Sequence, residues 1–191
     1  MKKRRFITIA LFVLLSLQLF PLFSSPVMGN EAAIKDVLVT QSVDYIQLYA
    51  KVNNAISKEM DTAILAGVPT TITFLVDLYQ ERSLWFDRKV AGVVIKQTIK
   101  YDKVKKTFYV WLPNRQEPEG FHDFASAKSA ITELNGVVVA PVVQLQRYTP
   151  TYIMIKAKLD KIRLPLGMEY VFFFVSLWDF ETDWYKQRFM F

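Results

Sequence analysis

One histidine, no cysteine and two clusters of oxygen-bearing side chains are the catalytic chemistry this 191-residue chain offers. His122, Asp123 and Ser126 hold the residue types of a hydrolase triad within five positions. Groups so close on one helix cannot readily reach the mutual geometry a serine nucleophile, its base and the orienting carboxylate need. No Gly-x-Ser-x-Gly elbow accompanies them. Asp179, Glu181 and Asp183 alternate within Trp178–Tyr185, so an extended strand turns all three carboxylates to one side and Trp178, Phe180, Thr182 and Trp184 to the other. Three oxygen donors could hold calcium, but the glycine turn and closing glutamate of an EF-hand loop are missing. A zinc site needs more nitrogen and sulfur ligands than one histidine supplies. No glycine-rich phosphate loop or dinucleotide fingerprint is present. The expectation is a chain with no catalytic residues, no metal and no cofactor. A hydrolase of unfamiliar type, working through carboxylates such as Asp179 and Asp183, is the alternative.

Aromatic residues are the other candidates. Trp85, Phe86 and Trp178, with Trp184 and Tyr185, could line a binding groove, since exposed aromatic clusters mark binding surfaces. Packing in the core is the commoner fate of such side chains. The partner class implied is an envelope protein, a lipid or a glycan.

The N-terminus sets the context. Lys2, Lys3, Arg4 and Arg5 precede an apolar run from Phe6 to Phe20 that Pro21 breaks, the layout of a secretory signal peptide. That run is shorter than the roughly 20 residues a spanning helix needs. Val27 and Gly29 place cleavage before Asn30, so residues 1–29 read as a signal peptide, with a retained anchor as the alternative. The expected location is the periplasm or the extracellular space, and membrane contact would then come only from an uncleaved N-terminal segment. Cleavage leaves a chain over 30–191, long enough for one domain with a sizeable core. Four of the 24 basic residues leave with the signal, and the remaining 20 against 18 acids give little attraction for nucleic acid. Without cysteines, the domain rests on burial alone.

Period-two alternation dominates the elements that must position these side chains. It predicts half-buried strands over Val43–Val52, Thr70–Tyr79, Val93–Tyr101, Lys105–Leu112 and Thr151–Leu159. Val137–Gln146 is β-branched, and Pro141 argues for an edge position or a bulge. Tyr170–Phe180 is apolar in both phases, as in a strand covered on both faces. Two short helices interrupt the pattern. One is capped by Ser57 and stopped after Ala66 by Gly67-Val68-Pro69, and the other is capped by Asp123 over Phe124–Leu134 and ended by Asn135-Gly136. Pro113–Gly120 reads as a surface loop. The fold expected is mainly β, a β-sandwich of antiparallel sheets with two short helices. The terminal Phe189-Met190-Phe191 raises the alternative of a small outer-membrane barrel, which the helices and the lysines on strand faces oppose.

Several segments carry a resemblance. Gly67-Val68-Pro69-Thr70-Thr71, Leu84-Trp85-Phe86-Asp87, Ile99-Lys100-Tyr101-Asp102, Leu164-Pro165, and Phe172 through Trp184 with Ser176-Leu177-Trp178-Asp179 resemble the bacterial family known as domain of unknown function 4390. The resemblance spans nearly the whole mature chain. It implies an exported bacterial protein and no activity that transfers residue by residue. The resulting expectation is a non-catalytic envelope protein acting as a binding or structural interaction module.

Overall fold

The structure, a computed structural model, describes residues 31–160 and 180–191. Trp178, Asp179 and most of the Tyr170–Phe180 segment lie outside the described residues, as does the N-terminal leader. The described part is a sandwich of two antiparallel sheets. One sheet holds β1 (Ala33–Gln41), β2 (Tyr45–Asn53) and β7 (Glu133–Pro141) in the order β1-β2-β7. The other runs β6-β5-β4-β3-β8-β9, where β3 is Thr70–Gln80, β4 Arg88–Asp102, β5 Thr107–Trp111, β6 Glu119–Phe121, β8 Pro150–Leu159 and β9 Tyr185–Met190. Among the described residues both sheets have open edges, so the strands do not close into a barrel. No helix among them is long and apolar enough to cross a membrane.

Alternation builds the core as the sequence implies. Ile72, Phe74, Val76 and Leu78 face inward from β3, in register with Leu159, Ala157, Ile155 and Ile153 of β8. Ile46, Leu48, Ala50 and Val52 face them from β2, and all belong to one continuous apolar cluster. The opposite face of the six-stranded sheet is charged, and three of its lysines are paired with carboxylates. Lys89 pairs with Asp77, Lys96 with Asp160 and Lys156 with Glu181.

Both predicted helices form, and α1 (Lys58–Leu65) starts as expected. The Ser57 hydroxyl accepts from the Met60 N–H, and Gly67 follows the helix at positive φ, a conformation open to glycine. The second, α2 (Phe124–Thr132), is shorter than predicted. The chain turns straight into β7 at Glu133, and Asn135-Gly136 is a bulge inside that strand rather than the end of the helix. Gly136 also has a positive φ, and an added Cβ there would lie 3.1 Å from the Tyr49 hydroxyl. Such a backbone is typical of a bulge. Pro141 closes β7, whose only partner among the described residues is β2, so the proline sits at the end of an edge strand there. Val142–Gln144 then form a 3-10 turn where a continuing strand was expected.

Two buried glutamines reach out from the larger sheet, one to the start of β7 and one to the connection between β7 and β8. Gln97 of β4 donates to the Glu133 carbonyl at 3.0 Å. Gln80, at the end of β3, donates to the Gln146 carbonyl at 2.8 Å and accepts from the Gln146 N–H at 3.0 Å. Arg88 completes the second staple, donating to Gln80 at 2.6 Å and to the Gln144 carbonyl at 2.8 Å. Buried amides are costly unless paired, so these contacts fix where the loop after β7 lies relative to the β3–β4 hairpin.

Candidate functional site

The β3–β4 hairpin carries the sharpest feature. Its connection, Glu81–Asp87, presents Leu84, Trp85 and Phe86 at 95%, 75% and 88% exposure. Trp85 and Phe86 are therefore not core residues, the commoner fate expected of them. The hairpin base is tied down while the tip projects: Glu81 N–H donates to the Pro150 carbonyl at 2.9 Å, and the Arg82 N–H reaches Asp87 Oδ1 at 3.3 Å. The Tyr152 hydroxyl donates to the other Asp87 oxygen at 2.8 Å. Burial, then this contact with the carboxylate, pushes the Tyr152 phenol up to about 12, so it stays a neutral donor.

Three further segments gather at the same end. The Val142 N–H donates to the Asp44 carbonyl at 2.8 Å, joining the β7–β8 connection to the β1–β2 turn. The Thr149 N–H reaches the Phe191 carbonyl at 3.2 Å, joining it to the residue after β9. Each of these segments shows large apolar side chains to solvent: Val43 in the turn, Val143 and Tyr148 in the connection, Met190 at the end of β9. Large exposed apolar side chains scattered singly are ordinary, but a cluster at one end marks an interaction surface. Sequence reasoning had only Trp85 and Phe86 of this set. The others sit singly in separate loops, and only the hydrogen bonds between loops bring them to one pole.

The other candidates fall elsewhere. Trp184 is 40% exposed, with the Lys156 ammonium 5.8 Å from its ring centre. It stands near Ile155, the partner of Tyr185, whereas the hairpin base is level with Thr151. That is roughly 13 Å along β8, so the structure does not bring Trp184 to Trp85. Tyr185 is half-buried against the core and donates to Gln187. The expected alternation over Phe180–Trp184 also breaks. Between the pairs Lys158–Glu181 and Ile155–Tyr185, three steps along β8 face four along the other strand. The extra residue turns Trp184 away from Thr182, whose hydroxyl accepts from the Ala157 N–H in the interior.

Two groupings of oxygen-bearing side chains have structural contacts. Ser126 donates its N–H to Asp123 at 2.8 Å and its hydroxyl at 2.8 Å. Asp123 and Ser126 therefore form a helix cap. These contacts keep the Asp123 carboxyl below the usual carboxylate range. Lys156 does the same for Glu181 by a direct hydrogen bond. Among the described residues, no three histidine, aspartate or glutamate side chains converge as a metal site would require. An open recess of about 550 Å³ lies at the far end of the sandwich, where Gly67 meets Lys100, Tyr101 and Asp102 beside Tyr109 and Trp111. Asp102 there accepts from the Lys105 and Val104 N–H groups and closes the β4–β5 turn.

The family model described as domain of unknown function (DUF4390) matches residues 29–188. The chain belongs to that family. No curated protein and no solved structure is similar to this DUF4390 chain. The matched span takes in every strand named above, except the last residues of β9, and all the loops that build the apolar pole. Leu164-Pro165 and most of Phe172–Trp184 lie outside the described residues, and the other segments that carried the resemblance can be placed. Leu84-Trp85-Phe86-Asp87 forms the hairpin tip at the pole, while Gly67 and Lys100-Tyr101-Asp102 line the opposite recess.

Proposed function

We propose that the protein is an exported, non-catalytic module that docks through its apolar pole onto another component of the cell envelope. Leu84-Trp85-Phe86 carries the reading: three consecutive large apolar residues held in water on a hairpin whose base is pinned by Glu81, Arg88 and Asp87. Holding a tryptophan and a phenylalanine out of the core forgoes roughly 1.5–3 kcal/mol for each side chain, which a docking partner would return on burial. The signal-like leader motivates export, with the mature chain starting near Asn30 in the periplasm or outside the cell, and intact mass of protein recovered from the envelope checks that start. The pole needs no cofactor, and its partner is an envelope protein, lipid or glycan rather than nucleic acid.

Photo-crosslinking in intact cells tests the proposal. A photoreactive residue at position 85 or 148 should form adducts, while one at position 96, on the outer face of the six-stranded sheet, should not. Adducts from position 96 alone, or none from any position, would place the contact surface elsewhere.

A further inference from the structure

The occupant of the pole is the next question, and the answer rests on the docking reading above. We infer that the pole seats on a lipid bilayer surface containing anionic headgroups. Its apolar side chains stand on separate segments at one end of the sandwich, each 67–95% exposed. Separate projecting side chains match a deformable headgroup layer, into which each enters independently. The composition fits the same layer: tryptophan and tyrosine sit at the boundary between hydrocarbon and water, with an apolar body and a polar edge.

The backbone at the base of the pole is internally paired. Glu81, Val142, Leu145 and Thr149 all have their N–H groups bonded within the pole, and the Gln80 side chain satisfies both polar groups of Gln146. Charge points the same way. Arg82 and Arg147 are exposed in these loops with no carboxylate partner among the described residues, and Arg88 is bonded to neutral groups. Of the acids nearby, Glu81 is paired with Arg188, and Asp87, which accepts only from the Tyr152 hydroxyl and the Arg82 backbone N–H, and Asp44 keep their charge against the three arginines. Arginines beside inserted aromatic tips are placed to meet lipid phosphates.

Co-sedimentation tests this, using the exported chain with its N-terminus defined by intact mass. The probes are vesicles of phosphatidylcholine alone and of equimolar phosphatidylcholine and phosphatidylglycerol. The mixed vesicles should bind the protein, with the Trp85 contribution to emission, isolated by difference from Trp85→Phe, moving to the blue. Trp85→Ser with Phe86→Ser should weaken binding at least tenfold on both vesicles. Arg82→Ser with Arg147→Ser should weaken it on the mixed vesicles only, as added salt should. Absence of binding to mixed vesicles, or binding indifferent to Trp85 and Phe86, overturns the inference. A crosslink from position 85 to a protein, together with no vesicle binding, would overturn the lipid surface and leave the docking reading standing. A crosslink to a second copy of the chain, with concentration-dependent dimers, would do the same. Loss of both crosslinks and vesicle binding would overturn the two together.

Discussion

Replacing Gln80 with methionine should loosen the pole without emptying the core. Methionine fills nearly the same volume, so no cavity forms, and what is lost is hydrogen bonding. The Gln146 N–H and carbonyl both lose their partner, while Arg88 keeps the Gln144 carbonyl. A buried polar group left unpaired costs about 1–3 kcal/mol. Gln146 is itself exposed, so water recovers part of the loss. The lower end of that range then applies, about 2 kcal/mol for the two groups together. With a urea dependence of about 2 kcal/mol per molar for a domain of this size, the unfolding midpoint should fall by about 1 M. Lys96→Met is the control. It removes an exposed pair with Asp160 and should cost about 1 kcal/mol or less. The second readout is local: tryptic cleavage after Arg147 should accelerate in Gln80→Met and not in Lys96→Met, because the staple holds the loop that carries Arg147. An unchanged midpoint with unchanged cleavage would show that Gln80 does not hold the β7–β8 connection to the larger sheet.

Phe74→Ala should cost about 3–5 kcal/mol in a denaturant melt, because Phe74 is fully buried between the sheets. Gly136→Ala should cost roughly 1–2 kcal/mol by the same assay, the usual penalty for placing a side chain on left-handed backbone. Its new Cβ would also crowd the Tyr49 hydroxyl. The Tyr152 phenol has a sign that can be worked out. Below pH about 10 it is neutral in the folded and unfolded chains, and its contribution is fully present. Between that value and the folded value of about 12, only the unfolded chain ionises, so stability is lost as pH rises. Tyr152→Phe should therefore show a shallower fall in melting temperature over the same alkaline range.

Legibility in the sequence followed the regularity of the backbone. The strands β3 and β8 pair without a break, so their alternation could be read directly as an inward and an outward face. By contrast β1 was not legible, because a register shift between Lys35 and Leu38, with Asp36 at positive φ, scrambles the phase of its apolar residues. The same cause misplaced the start of β7, where Asn135-Gly136 looked like a helix stop and is a bulge. Trp184 was assigned the wrong side for this reason as well. The helix caps at Ser57 and Asp123 were legible because capping is local, set by a side chain and an N–H three residues on. The pole could not be read from sequence. Val43, Trp85 and Tyr148 are far apart along the chain, and a strand pattern does not say which turns meet.

Envelope fractionation tests docking through the pole most directly. The wild-type chain and a Leu84→Ser, Trp85→Ser, Phe86→Ser variant, matched for export and for unfolding midpoint, are compared for retention on washed envelopes. These side chains are exposed, so the substitutions leave the core intact. Retention of the wild type with release of the variant into the soluble fraction is the expected result. Equal retention of the two proteins would contradict the account.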